Sequence, residues 1–299
     1  MGYTVEDWSI VAFSMAFIFY ISTATCYAGY WVLQKDWMGQ AGTAMAYVGA
    51  TSLFVTLILR AQKSGYAPWS NLYETMVLFV LLITMFYLIV EYKHKIKVIG
   101  AVVMLISVGA LWVASIMPHK YKAVSPLNPA LQNKWNWMKD MLGPEYSSYA
   151  LGWLDVHVFM VFVSYGAFAV AFGTSLMFLV KDYAETKGIS NPLIDAFPST
   201  EVLDEVSYKT IAWGFPWLGL GIIAGGAWAN YAWGAYWSWD PKETWSLITW
   251  FIYGGYLHAR LTKGWDGKKT AYLSILGFAG VIFLYWGVSF IIPGLHAYA

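Results

Sequence analysis

Three histidines and one dense cluster of tryptophans are the side chains of this chain whose types and spacing can do chemistry. His157 stands about one helical turn inside the end of an apolar run, and His296 follows the last apolar run after Pro293-Gly294. Both fall on the same side as residues 228–250, which read WANYAWGAYWSWDPKETWSLITW. Neutral imidazoles that approach a planar macrocycle from opposite faces are the usual axial ligands of heme iron. Two separate helices giving one histidine each make that geometry. His258 differs, because it lies 15 residues beyond Glu243. At 1.5 Å per helical residue that is about 22 Å deeper, near the opposite face. An ionisable group within a membrane span is a functional hypothesis by default. Against it stands the reading of His258-Ala259-Arg260 as an interfacial group beside a basic loop.

The aromatic segment holds Trp228, Trp233, Trp237, Trp239, Trp245 and Trp250, with Tyr231, Gly234 and Tyr236 between them. An interfacial belt accounts for one or two indoles at a helix end. Six within 23 residues make a broad, flat apolar platform in a loop, suited to a large planar ligand. Asp240-Pro241-Lys242-Glu243 within it is also a strong helix start, with Asp240 as cap, Pro241 at the first helical position and Glu243 reaching back. For these four residues the structural reading outweighs acid–base chemistry, and for Lys242 an anionic neighbour stays open as well.

Composition says what must position these groups. Of 299 residues, 59% are apolar and 12% charged, about half the charge of an ordinary soluble domain. The chain therefore reads as an all-α polytopic membrane bundle. Eight runs are candidates for spans: residues 8–33, 43–59, 75–90, 98–117, 153–180, 211–227, 244–259 and 271–292. Helices suit them because each satisfies its backbone within the segment. The first run lacks a basic flank and follows Glu6 and Asp7, so it reads as a retained span rather than a cleaved signal. Eight spans put both termini on one side. Lys93, Lys95 and Lys97, with Arg260, Lys263, Lys268 and Lys269, mark the other side as cytoplasmic, so the termini and the 228–250 segment lie outside. Lys120, Lys122, Lys134 and Lys139 in the outer loop 118–152 weaken that charge contrast. An acidic inner connector, 181–208, is expected to hold a short surface helix. The chain reads as a single membrane domain, 1–299.

The net charge of +1 gives no reason to expect a nucleic acid partner. One cysteine, Cys26, excludes an internal disulfide, a CxxC pair and a cysteine metal cluster, and reads as a small buried residue. His94 reads as a solvated loop residue, and nothing singles out His119.

The run WGAYWSWDPKETWSLITW resembles the tryptophan-rich WWD signature of heme-handling proteins in cytochrome c maturation, and most closely the CcsA/ResC family. CcmC, with fewer spans, and CcmF, much longer, are relatives with the same signature. The resemblance extends to Ser70-Asn71-Leu72-Tyr73-Glu74, Pro129-Ala130-Leu131-Gln132, Leu154-Asp155-Val156-His157-Val158, Tyr256-Leu257-His258 and Gly294-Leu295-His296. It implies that His157 and His296 are the outer heme ligands and His258 an intramembrane heme ligand. Trp228, Trp233, Gly234, Tyr236, Trp237, Trp239, Asp240 and Trp245 would line the heme. The segment 133–152 is longer than the resemblance leads one to expect.

The resemblance further implies that heme b is bound as substrate. A CcsB/ResB-type membrane protein would supply a second intramembrane histidine. The synthase would join heme to the CxxCH segment of apocytochrome c, with thiol-reducing proteins as further partners. The host is expected to be a bacterial inner membrane or a thylakoid, with the active site on the periplasmic or lumenal face. No catalytic acid or base of this chain is required, since the thiols and the vinyl groups need positioning above all. The rival reading is a transporter of heme or another hydrophobic solute that forms no thioether. A b-type electron carrier and a purely structural subunit rank below it.

Overall fold

A computed structural model describes residues 4–64, 66–117, 152–292 and 294, and every regular element among them is helical. In chain order these are α1 (Val5–Leu33), α2 (Asp36–Ser64), α3 (Leu72–His94), α4 (Val98–Ile116), α5 (Trp153–Lys187) and the short α6 (Pro192–Asp195). They are followed by α7 (Thr200–Trp233), α8 (Pro241–Lys263), α9 (Lys268–Ile282), a π turn (Phe283–Gly287) and α10 (Val288–Ile291).

Seven helical runs are long and apolar enough to cross a membrane: α1 to α5, α7 and Lys268–Ile291. The eighth expected span corresponds to α8. Its 23 residues reach about 35 Å, but Lys242, Glu243, His258, Arg260 and Lys263 make it more polar than the other seven. Helix ends also run past the apolar windows. The run expected at 43–59 is Asp36–Ser64, and that expected at 211–227 is Thr200–Trp233. The connector expected at 181–208 narrows to 188–199, where α6 forms the short helix. Polar helix ends escape a hydropathy window yet keep their intrahelical hydrogen bonds, so the chain stays helical beyond the apolar stretch. Gly152 is the part of the 118–152 loop that falls within the described residues.

Small residues set the central packing. On α7, Gly214, Gly221 and Gly225 face α5, and a Cβ at Gly221 would come within 2.7 Å of the Val161 side chain. On α5, a Cβ at Gly166 would sit 3.0 Å from the Leu82 backbone of α3. Small residues let helix backbones approach in lipid, where apolar burial gives no drive between helices. Phe168 stacks on Tyr253 of α8 with ring centroids 3.7 Å apart, which adds α8 to the same core.

Polar networks tie the two ends of the bundle. At one end Arg60 and Glu74, both buried, pair at 2.8 Å. At the other, the Glu91 carboxylate accepts from the hydroxyls of Tyr27 and Tyr87 (2.7 Å each) and Thr43 (2.6 Å), and from the Lys97 ammonium (3.0 Å). That second network joins α1, α2, α3 and the start of α4. At the same end Arg260 pairs with Asp204 at 2.6 Å and Lys268 with Asp182 at 2.8 Å, joining α5, α7, α8 and α9.

Candidate functional site

The close α5–α7 contact brings His157 against the backbone of α7. Its Nδ1 lies 2.7 Å from the carbonyl oxygen of Gly221. A carbonyl can only accept, so Nδ1 carries the proton and the lone pair is on Nε2. This is the arrangement by which proteins orient a metal-binding histidine and raise its basicity. Gly225, one turn along α7, makes room for the ring: a Cβ there would lie 2.6 Å from His157 Nδ1.

Two clefts flank the imidazole. The larger, about 170 Å³, is bounded by Trp69, Asn71, Leu154, Trp228, Lys242 and Tyr285 among others. The smaller, about 90 Å³, is bounded by Gly225, Gly226, Tyr236, Trp237, Lys242 and Glu243 among others. Each is below the roughly 300 Å³ at which small-molecule pockets usually begin. His157 and Lys242 border both.

The far wall of the larger cleft is the turn before α3, held by the buried ion pair. Glu74 Oε1 accepts from Arg60 Nε at 2.8 Å and its Oε2 from the Ser70 amide at 3.0 Å. Asn71 caps α3 by accepting from the Glu74 amide at 3.0 Å. Trp69 Nε1 donates to Asp155 Oδ1 at 3.0 Å, while Asp155 Oδ2 accepts from the Gly152 amide at 2.7 Å. Asp155 thus fixes the start of α5 two residues before His157 and latches it to the turn. Tyr285, in the π turn, shares a 2.7 Å hydrogen bond with Thr75 and closes the third side. A π turn shifts the helical register locally, and such turns recur at functional sites.

The tryptophans are not one flat platform, and most of the segment is helix. α7 continues through Trp233, Gly234 ends it in a left-handed conformation (φ 80), and α8 begins at Pro241. Trp228 is 2% exposed and packs edge-on against Trp233, beside Leu154. Trp245 packs on Phe283 at 4.3 Å and Trp250 stacks on Phe215 at 4.8 Å. Among the described residues, Trp228, Tyr236 and Trp237 border the clefts. Trp239 is 68% exposed with φ 60, a conformation costing a bulky residue about 1–3 kcal/mol, and stands perpendicular to Trp237. Asp240 is the helix cap, accepting from the Lys242 amide at 3.0 Å, and Glu243 completes the capping box. Glu243 Oε1 is buried with no hydrogen-bond partner among the described residues.

His258 sits far along α8 and is not part of this group. It is exposed, on a face that also carries Ile248, Phe251, Gly255 and Thr262 at spacings of three and four residues. Two other expected groups, His296 and His119, lie outside the described residues, as does the 129–132 stretch. Gly294, however, is described. A Cβ there would lie 2.6 Å from Asp240 Oδ1, so the chain two residues before His296 runs beside the start of α8.

Reading the residues along the chain missed several contributors: Trp69, Tyr285, Gly221 and Gly225. The four-residue spacing of the two glycines was a visible signal, since small residues one turn apart mark a close helix contact.

A family model described as Cytochrome C assembly protein matches residues 143–296. The chain is 40% identical over 278 residues to Cytochrome c biogenesis protein CcsA of Trieres chinensis, covering 87% of each chain. It is 39% identical over 280 residues to the CcsA of Guillardia theta, covering 88% of this chain and 85% of that one. Among solved structures, Cytochrome c Heme Lyase CcmF matches with a TM-score of 0.67 at 16% identity, over 95% of this chain and 47% of that one. The chain thus spans about half of that protein and shares its fold.

Proposed function

The chain belongs to the CcsA family of cytochrome c assembly proteins, with a role in cytochrome c biogenesis, and from that premise we propose that it is the heme-presenting subunit of a cytochrome c synthase. Heme is its substrate, held at the His157 end and joined there to the CxxCH of apocytochrome c. The observation that carries this reading is the His157–Gly221 hydrogen bond, which points a basic Nε2 toward flanking clefts. The residues present fit a heme in three ways. The imidazole is in the ligating tautomer, Gly225 leaves the ring its space, and Trp228, Tyr236 and Trp237 give the clefts apolar borders. The second axial ligand of this reading, His296, lies outside the described residues.

In this reading the chain's residues bind, orient and exclude water. Trp69, Asp155 and Gly221 hold His157 in place, and Trp239 stands at the rim. An apocytochrome's histidine displaces one axial imidazole. Each thiol then adds across a heme vinyl group: a C–S bond forms and the thiol proton ends on the other vinyl carbon. Holding thiol and vinyl at near-attack distance is the main catalytic contribution. The His157 end faces the periplasm or lumen, all eight expected helices span the membrane, and both termini lie on that outer side. The exposed face of α8 around His258 receives the CcsB/ResB-type partner, which completes a second heme site within the membrane.

The test is an absorption spectrum of the detergent-purified chain co-expressed with its partner, beside His157→Ala, His296→Ala and His258→Ala. A six-coordinate low-spin spectrum that the two outer changes disturb, and that added imidazole restores, supports the reading. Heme retained with an unchanged spectrum in all three variants, or heme absent from the wild type, overturns it.

A further inference from the structure

Toward the end of the bundle opposite His157, α2 and α3 leave an open groove between them. Its volume is about 540 Å³, within the roughly 300–1,000 Å³ of sites for small organic ligands, and Tyr47, Phe54, Leu81, Met85, Ile89 and Tyr92 border it among others. All of these but Leu81 are exposed. From Tyr92 to Leu81 the groove runs about 16 Å along α3, from near the helix end toward the middle of the span. Helix contacts in lipid are built on small residues that let backbones close. Apart from Ala50 and Thr51 these walls are large side chains, so the shape suits a flexible hydrocarbon chain better than another helix.

The groove has a polar mouth. A second cavity of about 160 Å³ shares Tyr47, Leu88 and Tyr92 with it, and Glu91, Lys95 and Lys97 border that mouth. Glu91 and Lys97 are committed to each other: the Lys97 ammonium donates to Glu91 (3.0 Å), Thr43 (2.8 Å) and the Gly39 carbonyl (3.4 Å). Lys95 differs. Its backbone caps α3, with the amide donating to the Glu91 carbonyl at 2.7 Å, while its exposed ammonium stands 4.4 Å over the Tyr92 ring at the head of the groove. We propose that groove and mouth form one site for an anionic phospholipid: an acyl chain lies between α2 and α3, and the headgroup phosphate pairs with the Lys95 ammonium. A cation at interface depth with an apolar trough behind it matches both parts of such a ligand, and basic pockets between spanning helices hold anionic headgroups in this way. The site stands apart from the His157 clefts and does not depend on the heme reading.

The experiment is native mass spectrometry of the delipidated full-length chain in detergent, titrated with phosphatidylglycerol or with phosphatidylcholine bearing the same acyl chains. The first phosphatidylglycerol is expected to bind about tenfold tighter, the worth of one hydrogen bond to a charged group. Lys95→Gln should bring that ratio close to one. Lys93→Gln removes an equal charge two residues away, at a position that borders neither cavity, and should leave the ratio unchanged. Thr51→Trp fills the groove from an exposed position and should weaken both lipids. Equal affinity for the two lipids, or a preference that survives Lys95→Gln, overturns the site. So does a preference lost equally in Lys93→Gln, which would show a diffuse surface charge only. Lipid binding unchanged in Thr51→Trp, or abolished by inorganic phosphate alone at matched concentration, removes the acyl chain from the groove and overturns the proposal as well.

Discussion

His157 donates from Nδ1 to the carbonyl of Gly221 at 2.7 Å, across a helix contact that only glycine permits. The same contact places Gly225 under the ring. Histidine tautomer, ring orientation and helix spacing are therefore one property here. Gly225→Ala puts a methyl group 2.6 Å from Nδ1 and must push the imidazole aside. It is expected to lower heme occupancy much as His157→Ala does, while the protein still folds. Gly109→Ala on α4, where nothing lies within 4 Å of the new methyl, is expected to leave the spectrum unchanged. Heme content per protein, read from the same preparations, checks both.

The Arg60–Glu74 pair is buried at both partners, so removing one side strands a charge. Glu74→Gln or Arg60→Met alone is expected to cost about 3–5 kcal/mol and to lower the unfolding temperature sharply. The double change Arg60→Met with Glu74→Met should recover much of that loss. Thermal unfolding in detergent decides, and a double variant as weak as the singles would show that the pair also builds the turn at Ser70.

Four donors converge on Glu91 at the opposite end. Tyr27→Phe removes one of them and is expected to cost about 1 kcal/mol. Glu91→Leu leaves the Lys97 ammonium without its carboxylate and should cost several times more. Because α1, α2, α3 and the start of α4 meet here, the loss should appear as unfolding of that half of the bundle, measurable by proteolysis within α1–α4.

The exposed position of His258 separates stability from function. In the isolated chain His258→Ala is expected to change stability by no more than about 0.5 kcal/mol, as at other surface sites. Co-expressed with the partner, the same variant should lose a distinct share of bound heme. Equal heme in both preparations would remove His258 from the ligand set and return it to an interfacial role.

The apolar runs, the all-helical architecture and the start of α8 were legible along the chain. Each depends on residues within a few turns of one another. Asp240, Pro241 and Glu243 make a capping box wherever a helix begins, and an apolar stretch of some twenty residues seeks lipid whatever its neighbours. Family resemblance carried the heme assignment further than spacing could. Tertiary structure alone decided which tryptophans border the clefts, since indole packing depends on partners such as Phe283 and Phe215 from other helices. It also decided that α8 turns His258 outward and that Lys242 borders the same two clefts as His157. His157 meets Gly221 across 64 residues and Thr75 meets Tyr285 across 210. Chain separation at that range carries no information about which faces two helices present to each other. That register is set by how the small residues of α5 and α7 let their backbones close.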